Sequence, residues 1–484
     1  MLQTFNRWLG WICAAISGLS LILMTLVAFI DSIGRQIGKP LPGAGEYVTF
    51  ALMIFFFAAM PLVMRDDAHI RVPLGFAMML VGTGGIAAIH PKGIGAALAI
   101  AEQQVVKNAT NYQFSALPLF ILMGVFIVKA SLAEELFEAA RRWFGRFRGG
   151  LGMATIVACG GFSAMCASSS AAAATMAKIA IPEMDRAGYD PGFSAGSIAA
   201  GGTMGVLIPP SGALIIYALL TLQNVSELFV AGILPGLAQV VIYVGVMAVI
   251  AMLRPEWAPR DRQFSKREKW SALGKIWGVA VLFSLIMAGL VKGWFTATEA
   301  GGIGAGGAFV LLVLRRKLTW AVLVDSLLEA ARISTMIFIV AAGALVLNQF
   351  INLSGVSGQA IRYIQSLDLS PAMIVACLLV FYLVLGCLMD GFAMIFLTVP
   401  IVAPIIEGLG YDLVWWGIVT VIVVEISLIT PPVGLNVFIL KAMLPKLPVM
   451  RIFRGIVPYV AADFLRLALI LIFPAMALWL PGML

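Results

Sequence analysis

IPEMDRAGYDP (residues 181–191) and APIIEGLGYDL (residues 403–413) are two copies of one phrase. Pro182 pairs with Pro404, and Gly188-Tyr189-Asp190 pairs with Gly410-Tyr411-Asp412. The match continues in TMGVLIPPSGALIIYAL (203–219) and EISLITPPVGLNVFILK (425–441), where Pro209-Pro210 meets Pro431-Pro432 and Gly212 meets Gly434. Every pair lies 222 residues apart without a gap. A constant offset through so many landmarks marks an internal repeat, and the repeat decides the architecture.

The solvent of that architecture is lipid. Of 484 residues 61% are hydrophobic and 12% charged, with a mean hydropathy of +1.02, beyond what a soluble core of this size needs. The apolar stretches lack the alternation of a barrel strand, so the class is an all-α polytopic membrane protein. The net charge of +8 reads as loop anchoring and not as nucleic-acid binding. Cys13, Cys159, Cys166, Cys377 and Cys387 all fall in apolar runs and read as small buried side chains. His69 and His90 are the only histidines, which argues against a histidine metal site. Residues 8–30 are long enough to span and lack a cleavage site, so they read as a retained anchor. With no Walker A, HExxH or GxSxG motif, neither ATP hydrolysis nor proteolysis is expected, and the chain is not read as an enzyme.

Candidate spans cover residues 8–30, 46–64, 72–90, 114–131, 193–222, 228–252, 274–291, 298–314, 333–352, 413–445 and 455–481. Two apolar regions, 150–182 and 371–406, are interrupted by GGFSAMCASSSAAAA and GCLMDG. Half of such a region, about 15 residues, covers about 22 Å of a hydrocarbon core about 30 Å thick. Both read as re-entrant hairpins whose tips need protein or a cavity around them. Basic clusters at Arg141–Arg148, Arg254–Lys275, Arg315–Lys317 and Lys441–Arg454 are assigned to the cytoplasm. That choice gives a cytoplasmic N-terminus, hairpins entering from opposite sides, and inverted-topology repeats at about 114–252 and 333–481. Many secondary transporters share this plan and bind substrate and ions at the repeat interface.

Each repeat thus supplies a hairpin followed by a helix broken at Pro-Pro. Proline removes a donor and frees carbonyls of the preceding turn, which suits a cation. Near the first break stand Ser163, Ser168, Ser169, Ser170, Thr175, Thr203, Pro209, Pro210 and Ser211; near the second, Asp390, Thr398, Glu425, Ser427, Thr430, Pro431, Pro432 and Asn436. Their oxygens fit sodium, and half-helix N-termini offer amides to an organic anion. The serines equally allow close helix packing. Asp390, alone in LVLGCLMDGFAMIFLTVPIV (383–402), is either an ion-coupling acid or a buried hydrogen-bonding one, since an isolated carboxylate at that depth costs several kcal/mol. Glu425 either joins the ion pathway or meets a basic group from another helix. Glu299 reads as solvated or capping, with Thr296 or Thr298 as cap, and Asp463 and Arg466 as a mutual pair.

From Val72 onward, VPLGFAM, ALPLFILMG, GGFSAMCASSSAAAATMA, PEMDRAGYDP, IPPSGALIIYALLT, VAGILPG, GWFTATEAGG, GCLMDGFAMIFLTVPI and VVEISLITPPVGLNVF resemble the large membrane subunit of TRAP transporters, the tripartite ATP-independent periplasmic family. The resemblance implies a sodium-driven importer of carboxylates or related organic anions in the bacterial inner membrane. Its partners would be a periplasmic substrate-binding protein and a small membrane subunit, with sodium as coupling ion and no other cofactor. It also implies an elevator-type division into scaffold and transport domain. By motif, sodium is expected near Ser163, Thr203, Asp390 and Thr430. The first hairpin departs from the family's GGxSGSAxAD by carrying Met165, Cys166 and Ser168 to Ser170 without an acid. Residues 1–72, through GKPLPGAGEYVTFALMIFFFAAMPLVMRDDAHIRV, resemble the first half of the small subunit, leaving 73–484 as the large-subunit-like permease. Two of the small subunit's usual four helices and the first large-subunit helix are missing at the join, so one rival reading is a non-transporting deletion remnant or an assembly partner. Another is a related symporter that needs no binding protein.

Overall fold

The computed structural model describes residues 2–65, 71–166, 168–356, 358–359, 362, 369–387, 389–432 and 434–483; His69 lies outside them. Among the described residues the only β contact is an isolated bridge between Arg148 and Arg260, and eight helices are long and apolar enough to cross a membrane. The chain is an all-α polytopic membrane protein.

The repeated phrase is a helix stop followed by a helix start. Gly188 (φ +78°) and Gly410 (φ +81°) take the left-handed conformation that ends a helix, which a side chain would resist. The N–H of Tyr189 then bonds back to Met184 at 3.0 Å, and that of Tyr411 to Ile406 at 3.2 Å. One residue further, Asp190 accepts from the N–H of Phe193 at 2.9 Å and Asp412 from that of Trp415 at 3.1 Å, so each aspartate caps the next helix. All of these pairs keep the 222-residue offset.

Whole elements obey it too. The hairpin arm Ser169–Arg186 corresponds end to end with Gly391–Gly408, and the half-helices Pro191–Thr203 and Leu413–Ser427 begin in register. The other arms, Gly150–Cys166 and Pro371–Gly386, pack against their partners. Beyond the breaks the helices resume at Gly212–Thr221 and Leu435–Met443, and both Pro-Pro bonds are cis.

A long support is Trp320–Leu353, 34 residues, which at about 1.5 Å per residue outreaches a core about 30 Å thick. A span was expected only from 333; Thr319 caps the helix earlier, accepting from Val322 N–H at 3.2 Å, so a polar turn precedes the apolar one. It packs on Arg71–Ile89, where a Cβ on Gly343 would stand 2.0 Å from the Gly75 carbonyl oxygen. The two backbones touch only because neither residue has a side chain. Two further helices, Gly93–Ala109 and Leu132–Phe144, were not anticipated. Polar residues such as Glu102, Gln103 and Lys107 in the first, and Glu134, Glu135, Arg141 and Arg142 in the second, hide them from a hydropathy reading.

The N-terminal helices Leu2–Gln36 and Ala44–Arg65 pack on each other and on the body of the protein. Gly302 admits Ala28, whose Cβ would lie 2.4 Å from a Cβ at that glycine. Arg35 Nε lies 3.1 Å from Glu299 Oε1 and 3.0 Å from Asp31 Oδ2. Glu299 also closes a capping box with Thr296, while Thr298 donates to Tyr112 O at 3.4 Å. Thr296 is therefore the cap. One cysteine departs from expectation: Cys377 is exposed, because an apolar position in a membrane helix can face lipid; Cys13, Cys159 and Cys166 are buried and Cys387 half-buried.

Candidate functional site

Four separate elements converge on one cleft. It is lined by Ser168, Ser169 and Ser170 from the first hairpin tip, Asp390, Gly391 and Phe392 from the second, Val206 and Ala213 from either side of the first helix break, and Val424 and Leu428 from the second break. Asp390 is thus half-buried at a helix start and lines a cleft. That placement answers the cost of a carboxylate within an apolar run.

Ser168 and Asp390 hold the N-cap positions of the corresponding arms. Ser168 Oγ accepts from Ala171 N–H at 3.4 Å and lies 3.2 Å from Ser170 Oγ. Helix N-termini carry partial positive charge and unbonded amides. The cleft therefore combines two positive helix ends with a carboxylate and three hydroxyls, a set able to serve a cation and an anionic group side by side.

The remaining expected residues stand behind this lining. Ser163 is fully buried with no hydrogen-bond partner for Oγ, and its Cβ would be 3.0 Å from a Cβ at Gly205. Thr203 donates to Ala200 O at 2.8 Å and Thr430 to Ile426 O at 3.0 Å, which commits each hydroxyl proton to its own helix and leaves the oxygen able to accept. Ser211 donates to Val206 O and accepts from Leu214 N–H at 3.2 Å, which spans the first break and starts the next half-helix. Asn436 N–H reaches back across the second break to Leu428 O at 3.2 Å. Its side-chain amide donates to Ala199 O at 3.1 Å, tying the second repeat to the first. Tyr217 returns the tie by donating to Leu413 O at 2.7 Å. Pro209 and Pro210 are buried, whereas Pro431 and Pro432 are exposed.

Glu425 takes the second of its two expected placements and meets a basic group from another helix. Its carboxylate does not line the cleft; Oε2 accepts from Arg466 Nη2 at 2.6 Å, and the same nitrogen lies 3.1 Å from Asp463 Oδ1. The expected Asp463–Arg466 pair is thus part of a triad. Tyr243 donates to Asp463 Oδ2 at 2.5 Å, and Gln239 Nε2 lies 3.5 Å from Thr203 Oγ1. Gln239 and Tyr243 went unremarked in the sequence; two polar residues four apart inside the apolar helix Val225–Leu253 were the available signal.

The family model described as the tripartite ATP-independent periplasmic transporter, DctM component, matches residues 67–476. The chain belongs to that family. This TRAP permease is 34% identical over 382 residues to the C4-dicarboxylate TRAP transporter large permease protein DctM of Pseudomonas aeruginosa, covering 78% of this chain and 88% of that one. It is also 25% identical over 500 aligned positions to the sialic acid TRAP transporter permease protein SiaT of Haemophilus influenzae, and that match covers 98% of this chain and 80% of the relative. Among solved structures the YdaH transporter of Alcanivorax borkumensis matches with a TM-score of 0.58 and 15% identity, over 85% of this chain and 98% of the other, which is a likeness of fold. The TRAP permease is a multi-pass transporter subunit of the inner membrane, of a family whose large permeases work with a periplasmic binding protein and a small membrane subunit.

Proposed function

We propose that this TRAP permease imports a carboxylate or related organic anion by sodium symport, taking it from a periplasmic substrate-binding protein. The observation that carries the reading is the convergence of both hairpin tips and both helix breaks, with Asp390 among them, on one cleft. Asp390 and neighbouring oxygens serve sodium, and the two helix N-termini serve the anion. The N-terminus lies in the cytoplasm, as the arginine and lysine clusters suggest. Transport proceeds by movement of the hairpins and broken helices against a scaffold built around Trp320–Leu353.

The N-terminal helices act as a shortened small-subunit-like segment that belongs to the scaffold. Two observations support this: their packing on Ala297–Leu314 through Ala28, Arg35 and Glu299, and a match to SiaT that covers 98% of the chain where the DctM match covers 78%. Both weigh against the remnant reading, since a vestige would lose such contacts first.

Proteoliposomes containing the full chain test the proposal, with an inward sodium gradient and binding proteins preloaded with dicarboxylate, sialic acid or sugar acid. Uptake that needs sodium, a binding protein and an intact Asp390 supports it. Uptake indifferent to the binding protein favours the simpler symporter, and no uptake with any of them favours the remnant.

A further inference from the structure

A second polar cluster lies outside the cleft and carries an unbalanced charge. Glu425, Asp463 and Arg466 are each at most 1% exposed, in the interior of helices Leu413–Ser427 and Val449–Ile472. Two carboxylates against one guanidinium leave a net charge of −1. Arg466 reaches both acids through the same nitrogen, and Tyr243 contributes a neutral hydroxyl. Tyr459, Tyr189 and Cys159 nearby are neutral in their protonated forms, and the charged residues elsewhere on the packed helices, Glu227, Arg451 and Arg454, are not buried. An uncompensated charge buried this deeply costs several kcal/mol.

The unbonded atoms point to what completes the set. Glu425 Oε1 and Gln239 Oε1 are buried acceptors without a hydrogen bond, and Asp463 Oδ1 is held only by the Arg466 contact at 3.1 Å. Arg466 Nε and Nη1 also lack partners. A buried water would satisfy acceptors and donors alike, but it would leave the charge as it stands. We propose that Glu425, Asp463 and Gln239 form a site for one monovalent cation, a proton or an alkali ion, separate from the cleft. The cluster joins the second broken helix to Val225–Leu253 and Val449–Ile472, and Gln239 extends it to Thr203 on the first broken helix. Occupation of the site therefore stiffens both breaks together. The inference does not rest on the cleft binding sodium.

The test uses the purified full chain in the Asp390→Asn background, which silences Asp390 in the cleft, with and without Glu425→Gln. Glutamine keeps an acceptor for Arg466 and removes the excess charge. Unfolding temperature is read in sodium against choline at equal ionic strength, and across pH. For an alkali ion, Asp390→Asn keeps a sodium-specific rise that the double variant loses. For a proton, sodium has no effect, but the single variant loses stability as pH rises while the double variant is flatter. Infrared spectra of the unmutated protein give a reading that needs no variant: the proton arm expects a buried protonated-carboxyl C=O band that fades at high pH, and the alkali arm expects carboxylate bands that shift on sodium addition. Identical sodium and pH responses in the two variants would overturn the site, and should the double variant fail to fold, an infrared spectrum showing neither change would do so.

Discussion

Ser168 and Asp390 are the same structural position in two copies. Each holds the N-cap place of its hairpin arm, the arms correspond end to end at the 222-residue offset, and both residues line one cleft. The repeats thus bring a hydroxyl and a carboxylate to equivalent places in the fold.

Ser168→Ala removes a cap without removing a charge. It should lower stability by about 0.5–2 kcal/mol, read as a drop in unfolding temperature, and leave the response to sodium in place. Loss of that response would mean that Ser168 and not Asp390 is the principal ligand.

Asn436→Leu cuts the tie to Ala199 O while preserving bulk. Loss of this buried hydrogen bond, with the carbonyl still held within its own helix, costs about 0.5–1.5 kcal/mol. The variant should also expose the second break to limited proteolysis earlier than the unmutated chain.

Arg466→Met strands two acids in the interior, and removal of one partner from a buried ion pair costs about 3–5 kcal/mol. Poor recovery of monodisperse protein is expected, with partial rescue by adding Glu425→Gln. An Arg466→Met variant as stable as the parent would show that the triad has no energetic role.

Gly343→Val drives a side chain into the Gly75 carbonyl. Backbone must shift to relieve it, so the cost is at least about 1–3 kcal/mol. By contrast Arg35→Gln, at an ion pair whose arginine is half-exposed while Glu299 is buried, keeps a donor for the carboxylate and should cost less than Gly343→Val. Similar losses for both would contradict the packing described for the scaffold.

Much of this was legible because the repeat is written in residues that set backbone geometry. Gly188, Asp190, Gly410 and Asp412 name a helix stop and start, and the prolines name the breaks. Hydropathy found the lipid-facing spans but missed Gly93–Ala109 and Leu132–Phe144, whose polar faces resemble loops. The cleft's apolar lining at Val206, Phe392 and Val424 was invisible for the opposite reason: those residues look like any membrane-helix residue until the fold turns them inward. Glu425 was ambiguous in sequence because its partner, Arg466, lies 41 residues away, and only tertiary packing chooses between an ion pathway and an ion pair. Thr203 and Thr430 sit near the breaks as expected, yet their hydroxyls bond to their own helices.

The central claim is that Asp390 serves a sodium site in the cleft. Its most direct test is the unfolding temperature of the purified protein in sodium against potassium at equal ionic strength, for the unmutated chain and for Asp390→Asn. A ligand confined to the folded state adds about 2.7 kcal/mol at about one hundred times its dissociation constant. The account predicts sodium-specific stabilisation in the unmutated protein that is reduced or lost in Asp390→Asn. Equal sodium stabilisation in both proteins, or none in a well-folded unmutated chain, would contradict it.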